Sequence, residues 1–315
     1  MSKRRLSRRQ KQRIEAAQNA IRDSSDHLQG LVVSHRGSHI QAELDSGRTV
    51  DCRIKSNLGS IVCGDLVAVE PGKGDEYRVM AVLERDNLLQ RVDGYGQVRA
   101  VAANISQLVV CLAVVPEPNL FLLDQYLLSA EQQSIEAAIL INKIDLAGDS
   151  VDPFGIEAIY RPLGYPILLT SVESGRGMSG FRELLQDQLS VLSGVSGVGK
   201  SSLTSWLLPD EEIKIASISE ANEEGRHTTR TSRLYHLPGG GDLIDTPGVR
   251  GFSPFIDATR PLAHGFRELL ETSAGCRFHN CQHQDEPDCA VIEAVNNGQI
   301  SSSRFDSYRK MREQA

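Results

Sequence analysis

Three features of the 315-residue sequence predict a multidomain α/β protein. Short, glycine-punctuated strand patterns run from about His27 to Leu83, strands alternate with helical patterns from Leu108 onward, and three cysteines and a histidine crowd into the C-terminal segment. The expected parts are a basic flexible arm (1–26), an OB-like β-barrel (27–90), a domain of parallel βαβ units (91–253) and a small helical metal-binding domain (254–315). Hydrophobic residues at 40% and charged residues at 24% supply ample core material, which excludes a wholly disordered, collagen-like or coiled-coil chain. No apolar run approaches the roughly eighteen residues of a membrane span, and the basic start leads into no apolar signal core. A cytoplasmic protein without membrane contact is expected.

The arm stands apart in charge. Residues 1–22 carry eight basic side chains against Glu15 alone, so a net charge of -7 conceals a basic extension on an acidic body. That asymmetry suits nucleic acid, whose phosphates attract such arms; a merely solvated tail has the same composition.

In the barrel segment Ile40, Ala42 and Leu44 alternate with polar residues, as do Val50, Cys52 and Ile54, and Leu66–Val69 and Val79–Leu83 complete the set. Gly37, Gly47, Gly59, Gly64, Gly72 and Gly74 fall at turn spacing. Five or so strands in so short a stretch make a small barrel, OB-like first and SH3-like as the alternative. A connector over 84–103 follows. Leu108–Val115 then reads as a buried strand, Asn119–Gln133 as a helix, Ala137–Ile141 and Ile167–Thr170 as strands, Met178–Leu189 as an amphipathic helix and Leu189–Leu192 as a strand entering a glycine-rich loop.

That loop, Gly194-Val195-Ser196-Gly197-Val198-Gly199-Lys200-Ser201, fits G-x-x-x-x-G-K-[ST] between a strand and a helix expected over Ser201–Leu208. Backbone N–H groups of Gly194, Gly197, Val198, Gly199, Lys200, Ser201 and Ser202 are therefore candidates to wrap phosphates at a helix N-terminus. Lys200 would reach the β and γ phosphates, and the Ser201 hydroxyl would ligate Mg²⁺. The base is chosen by Asn142-Lys143-Ile144-Asp145 at a strand end. A carboxylate at Asp145 accepts from both N1–H and N2–H₂ of guanine, a donor pair adenine lacks, so GTP and GDP are the expected ligands. Lys143 would lie along the base, Asn142 would brace neighbouring loops, and the Thr170-Ser171-Val172 segment would bring a backbone N–H to the guanine O6.

Asp245-Thr246-Pro247-Gly248 fits D-x-x-G, with Asp245 on a metal-bound water and Gly248 on the γ-phosphate. Gly225–Arg230 lies where a switch loop belongs, and Thr228 or Thr229, with Thr229 preferred, would complete the Mg²⁺ shell. Val249 stands where many GTP-hydrolysing proteins carry a water-orienting glutamine. His227 is the candidate to supply that group, the alternative being contact with phosphate or partner only. Guanine reading precedes the phosphate loop in the chain, the reverse of the usual order, so the domain is circularly permuted, and D-x-x-G leads straight into the C-terminal segment.

Cys276-x₄-Cys281-x-His283-x₅-Cys289 has the ligand types of a structural zinc site, with His279 a competing ligand. Cys52, Cys63 and Cys111 lie on strand patterns and read as buried small residues.

Taken together, N-K-I-D at 142–145, G-V-S-G-V-G-K-S at 194–201, G-R-H-T-T at 225–229, D-T-P-G at 245–248 and the Cys₃His set behind a β-barrel resemble the RsgA (YjeQ) family of circularly permuted bacterial GTPases. The resemblance covers nearly the whole chain from about His27. It implies an OB domain, a permuted GTPase domain and a C-terminal zinc domain using His283 as ligand. It also implies binding to the small (30S) ribosomal subunit and its 16S rRNA late in assembly, subunit-stimulated GTP hydrolysis, and a catalytic role for His227. A monomer is expected. The rival class is a nucleic-acid-binding module in which GTP is mainly structural.

Overall fold

The computed structural model describes residues 27–55, 58–72, 74, 76–148, 152, 154–209, 232–245, 253–257 and 259–314. Five strands open the chain: β1 (Leu28–Arg36), β2 (His39–Leu44), β3 (Thr49–Arg53), β4 (Leu66–Pro71) and β5 (Tyr77–Val82). They pair in the order β1-β2-β3-β5-β4, and β4 returns to β1 to close a barrel whose β3–β5 contact is parallel. Alternation in the sequence decides which side chains fill it. Ile40, Ala42, Val50, Cys52, Val67, Val69 and Val79 fill the barrel core; along β3 the intervening residues face water, whereas in β4 the intervening Ala68 is buried as well.

The connector expected over 84–103 is instead a hairpin of β6 (Leu88–Val92) and β7 (Val98–Ala103). Its turn is built by Asp93, whose Oδ1 accepts from the backbone N–H of Tyr95 and Gln97 at 3.0 and 2.9 Å.

A six-stranded unit follows from β8 (Gln107–Ala113), β9 (Glu136–Asn142), β10 (Ile167–Leu169), β11 (Leu189–Ser193), β12 (Ser232–His236) and β13 (Asp242–Asp245), ordered β10-β9-β8-β11-β13-β12. All neighbours are parallel except β12 and β13. Every residue of β8 is buried, as expected for a central strand covered on both faces. Helix α1 (Leu120–Gln132) covers one face with Leu123, Tyr126 and Leu127, joined by α2 (Ile156–Tyr160). Helices α3 (Met178–Leu185) and α4 (Lys200–Leu207) cover the other with Phe181, Leu185, Leu203 and Leu207. Asn119 starts α1 where expected, its side-chain oxygen accepting from Leu122 N–H at 3.1 Å. α3 stops four residues earlier than its pattern suggests because Gln186 is extended and Asp187 is left-handed at φ 57°. Helix α2 and strand β12 were absent from the sequence pattern; Asp152 starts α2 by accepting from the N–H of Ile156 and Glu157.

The barrel and this sheet are continuous. Past a bulge between Val32 and Ser34, β1 stays paired with β2 on one side and, beyond its contact with β4, pairs antiparallel with β12 on the other, Ser34 opposite Arg233 and His35 opposite Ser232. His236 bolts the seam, its ring nitrogens 2.9 Å from a Glu43 oxygen in the barrel and 2.6 Å from an Asp242 oxygen in β13. Those two carboxylates, Glu43 foremost, raise the imidazole pKa above its ordinary value.

A short strand, β14 (Ser253–Pro254), pairs with β6, and α5 (Arg267–Ser273), α6 (Ala290–Asn296) and α7 (Ser302–Gln314) complete the chain. Phe266, Leu269, Val291, Phe305, Tyr308 and Met311 form their core together with Leu128 of α1. Contact there is close enough to need Gly265, where a Cβ would sit 1.9 Å from the Leu128 side chain. Beyond β14 the chain is stapled to α1: Ser129 Oγ donates to Phe255 O at 2.8 Å, and Gln132 exchanges bonds with the Asp257 backbone.

Candidate nucleotide site and metal centre

The expected phosphate loop leaves the carboxyl end of β11, beside the carboxyl ends of β8, β9 and β13, the edge at which open α/β sheets bind ligands. Its glycines are demanded by local geometry. Gly194 has φ 141°, and a Cβ there would lie 2.1 Å from Cys111 O of β8. Gly199 has φ 94°, and a Cβ would lie 2.4 Å from Asn142 Nδ2. Lys200 then begins α4, with Ser201 and Ser202 exposed in its first turn. The Lys200 amine donates to Gly194 O at 2.7 Å and Val195 O at 2.8 Å, which places it over the loop.

The N-K-x-D residues are locked to the same loop. Asn142 is 2% exposed; its Nδ2 donates to Val198 O at 3.0 Å, and its Oδ1 accepts from Thr170 Oγ1 at 3.3 Å. Lys143, left-handed at φ 60°, reaches across to donate to Gly197 O at 2.6 Å and Val115 O at 2.9 Å. Asp145 lies at the surface, one carboxylate oxygen accepting from Ser171 Oγ at 2.5 Å, and Ser171 Oγ in turn accepts from Ser174 N–H at 3.1 Å. The backbone N–H groups of Thr170 and Ser171 are engaged by Ile141 O and Arg176 O. Asp245 ends β13 on the same sheet edge. His227, Thr228, Thr229 and Gly248 lie outside the described residues. Sequence reasoning missed Thr170 as the brace of Asn142 and the Val115 carbonyl as a seat for Lys143; neither has a motif that announces it.

Gly199→Ala is expected to cost about 1–3 kcal/mol in backbone strain alone. The new Cβ also displaces Asn142 from Val198, so both the melting temperature and GDP affinity should fall. Wild-type values in calorimetry of this variant would contradict the account.

In the C-terminal unit Cys276, Cys281, His283 and Cys289 present four ligand atoms within 4.8 Å of one another. Cys276 Sγ lies 3.7 Å from His283 Nδ1 and 3.9 Å from Cys289 Sγ, and His283 Nδ1 lies 3.4 Å from Cys289 Sγ. Tetrahedral zinc with ordinary bond lengths has ligand–ligand edges of about 3.6–3.8 Å, so the cage fits such an ion. Burial lowers the pKa of His283 and keeps its imidazole neutral, the form that binds metal. Partial burial, and then the neighbouring thiols, push Cys281 up to about 12; a cation among them removes that penalty. His279 is exposed and outside the cage. The loop is shaped by Glu286, which accepts from Gln282 and Gln284 N–H, and these bonds hold its carboxyl near about 2.

A permuted P-loop sheet with Asn142 and Lys143 of the N-K-x-D segment seated on the glycine-rich loop has the build of a GTP-hydrolysing protein, and the comparisons agree. The family described as RsgA GTPase matches residues 82–254. A protein of Marinobacter nauticus named "Small ribosomal subunit biogenesis GTPase RsgA" is 39% identical, covering 99% of this chain and 96% of its own length. One of the same name from Ectopseudomonas mendocina is 40% identical over 98% of this chain and 97% of its own. Among solved structures, YjeQ from Thermotoga maritima superposes with a TM-score of 0.69 at 32% identity, covering 91% of this chain and 98% of that one. YloQ, titled a circularly permuted GTPase, gives 0.69 at 26% identity over 93% and 96%. The chain belongs to the RsgA GTPase family and is a GTP hydrolase. Among the described residues no helix is long and apolar enough to cross a membrane.

Proposed function

We propose that this GTP hydrolase serves late assembly of the small (30S) ribosomal subunit in the cytoplasm, as a monomer, binding in the GTP state and leaving after hydrolysis to GDP and phosphate. The observation that carries the reading is the interlock of Asn142 and Lys143 with Val198 and Gly197, which makes base recognition and phosphate binding one rigid unit. The name shared by its relatives supplies the partner.

Guanine is read by Asp145, oriented through Ser171 Oγ, and the O6 donor falls to Val172 because Thr170 and Ser171 N–H are already bonded. Lys143 flanks the base plane. The loop N–H groups from Gly194 to Ser202 and the Lys200 amine take the phosphates, and Gly248 senses the γ-phosphate. Ser201 and Thr229, or Thr228 in its place, would hold Mg²⁺, with Asp245 on a bound water. Such an ion would supply positive charge to offset that of the phosphates. His227 orients the attacking water, a task Val249 cannot perform. Cys276, Cys281, His283 and Cys289 hold one structural Zn²⁺, whose role is to fold the loop between α5 and α6. The barrel and the basic arm meet 16S rRNA.

Steady-state GTP hydrolysis, measured alone and with purified small or large ribosomal subunits, tests the reading. Stimulation by the small subunit alone, lost in His227→Ala, is expected. Stimulation by neither subunit would replace it with a nucleic-acid-binding module that uses GTP structurally. Stimulation that survives His227→Ala would remove His227 from catalysis.

A further inference from the structure

We propose that Arg304 is a positioning residue for the nucleotide site, fixing helix α1 and thereby the floor on which the phosphate loop rests. The inference builds on the reading of Gly194–Ser202 as that loop.

Helix α1 is held between two units. On one side Asp124, 1% exposed, accepts from Arg304 Nη1 at 2.7 Å and from the Tyr160 hydroxyl at 2.7 Å through the same oxygen. Arg304, also 1% exposed, places Nε and Nη2 on the two oxygens of Glu268 at 2.7 and 3.1 Å, and its guanidinium lies 4.6 Å from the centre of the Phe266 ring. One side chain of α7 thus joins α1, α2 and α5. Tyr126 lies two positions beyond Asp124, which turns it roughly 200° around the helix to the opposite side. There Leu122, Leu123 and Tyr126 line a recess whose other wall is Gly194, Val195 and Val198. Tyr126 is itself buried beside Ser193, the residue that enters the loop.

A buried charge cluster is poor value as a source of stability, because desolvation offsets most of the attraction, and apolar residues of similar volume often replace it without loss. What such residues cannot reproduce is direction: the planar fork fixes the angle and axial register of α1 against α5 and α7. If α1 shifts, the recess under Gly194–Val198 changes shape, and phosphate contacts made by backbone N–H groups loosen together. The anchor is itself firm. Arg312 and Tyr308 of α7 donate to Gln282 O at 2.6 and 3.3 Å, next to the metal-ligand position His283.

The test uses the full chain with Asp124→Leu, Glu268→Leu and Arg304→Met combined, and separately Arg304→Lys, which keeps the charge but loses the fork. Trp206, the chain's one tryptophan, sits in α4, the helix that follows the loop, and its fluorescence is followed on titration with GDP and GTP, with equilibrium dialysis of labelled nucleotide beside it. Titrated for active sites, both variants are expected to bind nucleotide about fivefold to tenfold more weakly, with the loss falling on KM rather than kcat. A merely structural role would lower the fraction of active protein and the melting temperature, and leave the affinity of the folded fraction at the wild-type value. Should the triple variant fail to fold, unchanged affinity in Arg304→Lys overturns the proposal by itself. Lys200→Ala separates the two levels. If it too binds normally, the phosphate-loop reading beneath has failed; if it binds weakly while the Arg304 variants do not, this inference alone has failed.

Discussion

Lys200→Ala is expected to reduce GTP turnover by about 10²–10³-fold, the effect of removing one preorganised donor from a developing anion. The fold should survive the change. Gly194 and Gly199 keep the loop's shape through their own backbone angles, in places where Cys111 O and Asn142 Nδ2 leave no room for a Cβ. What disappears is the ammonium held over the loop by the Gly194 and Val195 carbonyls. The loss should therefore fall on nucleotide affinity and on chemistry alike, the chemical part visible in single-turnover hydrolysis at saturating GTP, with an unchanged melting temperature for the nucleotide-free protein. Turnover within tenfold of wild type would remove Lys200 from the catalytic machinery.

The second large effect is expected at the metal cage. Cys289→Ser removes one thiolate from a set of four and should weaken metal binding by at least about a hundredfold, since changes merely outside the coordination sphere cost about 10–100-fold. Cys276, Cys281 and Cys289 are also packed into the apolar cluster around Phe266, Phe305 and Tyr308, so metal loss should be felt there. Amide exchange across 276–289 should become fast in Cys289→Ser and in chelator-treated wild type, and readdition of Zn²⁺ should restore protection only in the wild type. Metal-free protein with slow exchange across that loop would show that the ion does not hold it.

The chemistry of this chain is written locally and its architecture is not. N-K-I-D and the phosphate loop are legible because each group must be spaced along the backbone to meet one ligand. The cysteine spacing likewise points to metal; spacing alone leaves His279 open, the family resemblance favours His283, and the folded loop buries His283 while leaving His279 exposed. The barrel strands show themselves through alternation at Ile40, Ala42 and Leu44. The β6–β7 hairpin is obscured by Arg91, Gln97 and Arg99, whose polarity mimics a linker, and β12 carries too few apolar residues to announce a strand. Arg304 is the sharpest case. On a helix otherwise rich in exposed charge it reads as another surface arginine, and only α1 and α5 arriving from elsewhere in the chain bury it.

The pairing of Ser34 with Arg233 sets a schedule for the protein's own birth. The barrel's strands are all made within the first 82 residues, yet the outer end of β1 waits for a neighbour encoded roughly two hundred residues later. From completion of β5 to β12 about 150 residues must be made, which at about 5–20 residues per second takes about 8–30 s, and over that time a newly folded barrel carries a raw sheet edge on the translating ribosome. The nascent chain is therefore most exposed to mispairing between completion of β5 and emergence of β12. Substitutions that slow or weaken β12 should show themselves as lower soluble yield before they show any defect in GTP hydrolysis.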